Sequence, residues 1–226
     1  MIRIENLKKT FEDKLIFEDL SMDIPEGKVI GVYGASGIGK STLAKTLCGV
    51  LPPDEGQIYL DGKLLYAPKT AYDRKRGMTI QMVYQQPYSS LDYNQKIIKG
   101  FHELIRYHKF AKNKANAQDL IEQLMAEVGL EMEILNHLPH QISGGEAQRI
   151  AIARCLLFKP RLLILDEATS MLDVSTQANV IDLVKRVMAR HNGSILLISH
   201  DEELVNHLCD QIYVFDKTKL KEKQKR

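Results

Sequence analysis

Cysteine is sparse in this 226-residue chain, and its three copies, Cys48, Cys155 and Cys209, lie far apart. They form no C-x-x-C pair, so neither a thiolate metal site nor a disulfide framework is indicated, and a reducing cytoplasm is the expected compartment. Long apolar runs are also missing. No stretch approaches the roughly 18 residues of a membrane span, and Arg3, Glu5, Lys8 and Lys9 break any signal-peptide core at the start. Net charge is only +2, which implies no broad nucleic-acid footprint. No sustained heptads run between Gly49 and Ser143, which excludes a long inserted coiled coil. What is left is a chain long enough for one sizeable core and a smaller appended subdomain.

What the chain does have is Gly34-Ala35-Ser36-Gly37-Ile38-Gly39-Lys40-Ser41-Thr42, a full match to G-x-x-x-x-G-K-[ST]. Glycines at 34, 37 and 39 allow positive φ and turn backbone N–H groups, including that of Ser36, inward as an anion nest. Lys40 is placed for the β- and γ-phosphates, and the Ser41 hydroxyl for Mg²⁺. The β-rich run Lys28 to Tyr33 precedes the loop. Ser41 to Cys48 reads as a helix stopped by Gly49, so the loop opens a helix whose N-terminus favours phosphate.

Arg161 to Glu167 is an unbroken apolar run that ends in two carboxylates. Such a run predicts a strand buried on both faces, where a charge is costly unless it is paired or binds metal. Asp166 is therefore a candidate for holding Mg²⁺ and Glu167 for orienting or deprotonating an attacking water. A third segment, Ser143-Gly144-Gly145-Glu146, opens the predicted helix Ala147 to Phe158 and offers a second set of N–H donors to a phosphate.

In this order the segments resemble the nucleotide-binding subunits of ATP-binding cassette (ABC) transporters, from Ile2 to about Phe215. The resemblance implies that Phe11 stacks on adenine. It implies that Gln85, in Val83-Tyr84-Gln85-Gln86-Pro87, ligates the metal and links the ATP site to membrane subunits. Ile142 to Arg149 looks like the signature segment, with Thr42 completing the phosphate loop, and Ser170-Met171-Leu172-Asp173 like the D-loop, so that Ser143 to Glu146 and Asp173 contact the nucleotide of a paired chain. His200 matches the switch histidine at the γ-phosphate. Two departures stand out: Ile142 where Leu is usual, and Glu146 where Gln is commonest. Glu146 adds negative charge near the partner's γ-phosphate, with Arg149 as a neighbouring cation.

The implied fold class is α/β: a P-loop ATPase core with a parallel sheet, an antiparallel β subdomain and an inserted helical subdomain. Arg3 to Leu7, Met22 to Ile24 and Gln57 to Leu60 alternate between turns at Pro25-Glu26-Gly27 and Asp61-Gly62, which predicts an antiparallel sheet beside the phosphate loop, placing Phe11 near the adenine. Residues 86–157 form the helical part, with Leu120, Ile121, Leu124, Met125 and Val128 on one face and Gly129 as a stop. Residues 1–85 and 158–216 make the core of this single nucleotide-binding domain. The basic stretch 217–226 reads as a solvated, disordered terminus, the alternative being nucleic-acid or anionic-lipid binding.

The resemblance further implies a head-to-tail pair with an identical or related ATPase at the cytoplasmic face of the membrane. Two transmembrane permease subunits and, indirectly, an extracytoplasmic solute-binding protein complete the assembly, with ATP and Mg²⁺ as cofactors and no nucleic acid. Gln85 to Asp92 and Pro139 to Glu146 look like the peptide/nickel importer branch. Asp92-Tyr93-Asn94 replaces that branch's usual asparagine-proline, and the chain stops at Arg226 without an extension. Both favour a nickel- or metallophore-type subunit over an oligopeptide one. An exporter subunit, or an ABC ATPase of translation or DNA repair, is the alternative.

Overall fold

The computed structural model describes residues 1–12, 14–70, 73–168 and 174–223. In chain order the strands are β1 (Ile2–Phe11), β2 (Lys14–Ile24), β3 (Val29–Tyr33), β4 (Glu55–Leu60), β5 (Lys63–Tyr66), β6 (Ile80–Val83), β7 (Leu162–Asp166), β8 (Ser194–Ser199), β9 (Gln211–Asp216) and β10 (Lys219–Lys223). The helices are α1 (Lys40–Leu47), α2 (Arg74–Gly77), α3 (Ile97–His108), α4 (Lys114–Glu127), α5 (Gly144–Leu156), α6 (Val174–Ala189) and α7 (Glu202–Leu208), with 3₁₀ turns at Pro87–Ser90, Met132–Asn136 and Pro139–Gln141. Two compact units result. One comprises Met1–Met82, Lys159–Glu167 and Met188–Arg226; the other comprises Val83–Phe158 and Ala168–Val187. Ala168 and residues 174–187 lie within the range 158–216 that the sequence reading gives to the ATPase core. These described residues group with the helices, where the Ala168 carbonyl accepts a bond from the buried Gln148 amide.

The first unit holds two sheets. One is antiparallel, in the order β2-β1-β4-β5. In β1 the inward positions are Ile2 and Ile4, then Leu7 and Lys9, so the period-2 pattern slips by one residue midway. The slip coincides with a register shift between Ile4 and Leu7 and with Asn6 at φ 49°, a bulge that returns the apolar side chains to the core face. Lys9 tolerates burial because its ammonium donates to Asp54 at 2.7 Å and to the Pro52 carbonyl at 2.9 Å.

The other sheet runs β10-β9-β3-β8-β7-β6. Strand β3 pairs in parallel with β8 and β9, and β7 with β8. Every residue of β7 and β8 is buried, as a continuous apolar run requires. One core joins both sheets: Ile4 and Phe17 from the antiparallel sheet meet Ile30, Ile164, Leu196 and Phe215 from the parallel one, with Leu43 and Leu47 of α1. Each such fully buried side chain contributes about 1.5–3 kcal/mol. Helix α1 ends as its sequence predicts, since Gly49 has φ 73°, and a Cβ there would sit 2.4 Å from the Tyr66 ring.

The basic terminus is not a free tail. Lys219–Lys223 forms β10, antiparallel to β9, with Leu220 opposite Phe215 and packed on the core. The turn before it is anchored by the Glu18 N–H, which donates to the Thr218 carbonyl at 3.1 Å. Lys223 pairs with Glu202 and lies 5.3 Å above the centre of the Tyr33 ring. The lysines that suggested a solvated tail occupy the exposed face of an edge strand, a position where charge discourages pairing with other chains. The last three residues of that stretch lie outside the described set.

The second unit is helical. Gly129 (φ 66°) follows α4, and of the predicted stripe Ile121, Leu124, Met125 and Val128 are buried while Leu120 is half-buried. Asn113 caps α4 by accepting from the Asn116 N–H at 2.9 Å. A 3₁₀ turn at Pro87–Ser90 comes first, and the first α-helix of this unit starts at Ile97. Among the described residues no helix is long and apolar enough to cross a membrane.

Candidate functional site

The phosphate loop joins β3 to α1. Gly37 and Gly39 have φ 76° and 121°, so they supply the left-handed backbone that the nest needs. Gly34 does not have positive φ. It is required for space instead, since a Cβ there would lie 2.9 Å from that of Phe215. Gly39 caps α1 without a side-chain bond, and no acid stands in the first turn. The helix therefore directs first-turn N–H groups and the positive end of its dipole at whatever anion enters the loop. Ser36 and Ser41 are exposed and Thr42 is half-buried.

Lys40 is only 4% exposed. Its ammonium donates to the Gly34 carbonyl at 2.8 Å and the Ala35 carbonyl at 3.0 Å, and lies 3.5 Å from Glu167 Oε1. Two hydrogen bonds and one ion pair thus compensate the charge, which is how a buried lysine remains compatible with the fold.

Strand β7 delivers the two carboxylates. Glu167 follows it at φ 49°, with its N–H donating to the Ile198 carbonyl at 2.9 Å. A left-handed glutamate costs about 1–3 kcal/mol of strain, and here the strand partner holds it in place. The other carboxylate oxygen lies 3.6 Å from Nδ1 of His200, which follows β8 and is more than half exposed. Lys40, Glu167 and His200 thus form one chain of charge: cation, carboxylate, imidazole.

Asp166 is buried, and its Oδ1 has no hydrogen-bond partner among the described residues. Burial pushes its carboxyl above the usual range, a shift that a hydrogen bond from Ser41 partly offsets and the Glu167 charge reinforces. No group of three or more His, Cys, Asp or Glu among the described residues would hold an ion unaided. An orphaned carboxylate oxygen beside a hydroxyl nevertheless fits Mg²⁺, a hard cation bound by few protein oxygens and completed by phosphate and water.

Phe11 ends β1 and is 42% exposed, with Lys9 Nζ 5.5 Å from its ring centre. In the second unit Gln85 is exposed just beyond β6. Ser143 is the N-cap of α5, followed by Gly144 and Gly145 in its first turn. Glu146 closes a capping box: the Glu146 N–H donates to Ser143 Oγ at 3.3 Å, while the Ser143 N–H and hydroxyl both donate to Glu146 Oε2 at 2.7 Å. Asp173 and the rest of the D-loop segment lie outside the described residues.

Two side chains at the site carried no assigned role in the sequence reading. Gln148 donates to the carbonyl of Ala168, the residue after Glu167, and the Tyr88 hydroxyl donates to the Ile142 carbonyl at 3.0 Å, tying the segment after Gln85 to the start of α5. Neither contact has a local sequence signal, because the partners are backbone carbonyls distant along the chain. The S-x-x-E spacing of the capping box, by contrast, is legible in sequence.

The fold is that of ABC ATPase cassettes. A dimeric cassette, MJ0796, solved in a post-hydrolysis state bound to ADP and Pi, superposes with a TM-score of 0.86 over 100% of this chain and 99% of that one, at 25% identity. The oligopeptide transport ATP-binding protein OppF of Haemophilus influenzae is 36% identical over 87% of this chain. The chain spans 59% of that relative's length. OppF of Bacillus subtilis is 34% identical over 95% of this chain and 72% of its own. With identity at this level along nearly the whole sequence, and the model of the ABC transporter family matching residues 17–170, the chain belongs to the ABC transporter family.

Proposed function

We propose that this chain is the ATP-hydrolysing subunit of a membrane importer, working as a head-to-tail pair with a second cassette and taking a peptide as cargo. The observation that carries the reading is the Lys40–Glu167–His200 chain of charge beside the open start of α1. In this proposal Phe11 stacks on adenine. The loop N–H groups and Lys40 take the phosphates, and Ser143 to Glu146 and Asp173 act on the paired chain's nucleotide. Asp166 and Ser41, with Gln85, hold Mg²⁺, which neutralises phosphate charge when bound.

Glu167 accepts a proton from the attacking water, and His200 donates to the γ-phosphate. Closure of the pair excludes water and supplies further donors; loss of the γ-phosphate removes the bridge and lets the pair open. The relatives described above are oligopeptide transport proteins, which favours a peptide over the nickel or metallophore cargo suggested by Asp92-Tyr93-Asn94. Two permease subunits and a solute-binding protein are the proposed partners, with this chain peripheral on the cytoplasmic face.

The test is affinity purification of tagged Glu167→Gln protein from detergent-solubilised native membranes with MgATP, followed by mass spectrometry. Permeases, a cassette ATPase and a peptide-binding protein are the expected companions. Ribosomal or DNA-bound partners without membrane subunits would remove the transport reading and leave the ATPase.

A separate prediction follows from Asp166. Its carboxyl is raised above the ordinary value by burial, so the ionised form costs stability. That cost is complete above the folded-state pKa and is relieved as pH falls through it. At neutral pH Asp166→Asn is expected to raise the nucleotide-free Tm, by about 2–4 °C for each kcal/mol of cost removed, while abolishing the extra stabilisation by MgATP over ATP with chelator. Calorimetry with and without Mg²⁺ checks both; a lower Tm would show that the carboxylate is not a buried charge held for metal.

A further inference from the structure

The start of α5 already carries an anion of its own. Ser143 is the residue whose hydroxyl, on the reading above, serves the γ-phosphate of the paired chain. That hydroxyl is turned onto Glu146 Oε2 at 2.7 Å, and the Ser143 N–H points to the same oxygen at 2.7 Å. Glu146 is the one acidic residue in the first turn, so it also takes up the positive end of the helix dipole. The hydrogen bonds from Ser143 hold its carboxyl below the usual range, helped by the Arg149 charge, so it is ionised at neutral pH.

An arriving phosphate therefore meets two obstacles that a neutral residue would not raise. The serine proton must be taken from a carboxylate, and the displaced carboxylate stays within a side-chain length of the phosphate that replaces it. Like charges at such separations interact by about 1–4 kcal/mol, depending on how much water remains.

We propose that Glu146 is a positioning residue that keeps the Ser143 hydroxyl turned inward until a paired chain's ATP displaces it, and that its charge sets how much ATP pairing requires. This rests on the head-to-tail reading and adds regulation to it. The nucleotide-free chain presents a closed cap, not a waiting phosphate site. ADP, which lacks the γ-phosphate, gives the paired chain nothing with which to open that cap. How much ATP pairing requires is then a property of one side chain.

The experiment uses the full chain with Glu167→Gln, so that ATP is not consumed, and follows pairing by sedimentation velocity as MgATP is titrated. Glu146→Gln keeps an acceptor for the Ser143 N–H and removes the charge. It is expected to lower the MgATP midpoint for pairing about tenfold at low salt, an advantage that shrinks as salt is raised, with Tm lowered by no more than the loss of one charge–dipole interaction allows. Glu146→Asp keeps the charge on a shorter arm. It is expected to lower Tm through the weakened cap while leaving the midpoint at or above that of the Glu146 protein.

That pattern separates charge from capping, which a purely structural role for Glu146 would not do. Equal midpoints for the Glu and Gln proteins, or a higher one for Gln, would overturn the inference and leave the ATPase reading intact. If both proteins bind MgATP and neither pairs, the head-to-tail reading falls and takes this inference with it.

Discussion

Glu167→Gln is expected to lower ATP turnover by about 10²–10⁴-fold, the range attributed to a positioned general base, while nucleotide binding persists. Glu167 is held from three directions. Its N–H is fixed to Ile198, its backbone is held left-handed at φ 49°, and its two oxygens face Lys40 and His200 at 3.5 and 3.6 Å. Glutamine fills the same volume and keeps a carbonyl oxygen, so packing at β7 should be undisturbed. It cannot take a proton from water. Loss of the carboxylate also frees Lys40 from its ion pair, which works in favour of phosphate binding. Steady-state phosphate release, set beside equilibrium binding of a fluorescent nucleotide, separates the two effects. A variant with the wild-type rate would remove Glu167 from the mechanism.

Lys40→Ala acts on the other end of that pair. A hydrogen bond to a charged group is worth about 1.5–3 kcal/mol, so nucleotide affinity is expected to fall by roughly 10–150-fold before any change in chemistry. The buried ammonium also satisfies the Gly34 and Ala35 carbonyls and offsets the Glu167 charge. Some of the loss will therefore appear as a lower Tm in the absence of nucleotide, since truncation leaves three acceptors with one partner fewer each. Lys40→Arg separates the contributions: it restores charge but brings a planar fork in place of a compact ammonium. It is expected to recover stability better than affinity. Calorimetric titration with ADP and with ATP gives the affinities. Unaltered affinity in Lys40→Ala would count against Gly34 to Ser41 as the phosphate site.

How much of this was legible in sequence depends on the range of the interaction concerned. The nest and its helix are read from a few neighbouring residues, because turning N–H groups inward is a local backbone matter, settled by Gly37 and Gly39. Gly34 has the right identity for a different reason, the closeness of Phe215, which no local reading supplies. The stretch after Phe215 was misread because lysine content spoke for solvent. Leu220, its single apolar inward residue, and the free edge of β9 outweigh that composition. Helix α6 falls in the range 158–216 given to the core by sequence, yet its residues 174–187 group with the second unit, a matter of long-range contacts.

The sequence by itself determined the parts and their chemistry. It specified a phosphate loop opening α1, a strand that must be buried and ends in Asp166 and Glu167, a serine-glycine start to α5, and helix stops at Gly49 and Gly129. Each of these follows from short-range sterics, hydrogen-bond spacing or the period of apolar residues. Only the tertiary structure decided which charges face one another. Lys40 and Glu167 are remote in sequence, and the parallel sheet brings them together because β3 and β7 flank β8 in register. The same register sets His200 beside Glu167 and leaves Oδ1 of Asp166 without a partner among the described residues. Long-range strand pairing selects these contacts, and no window of sequence contains both members of any of them.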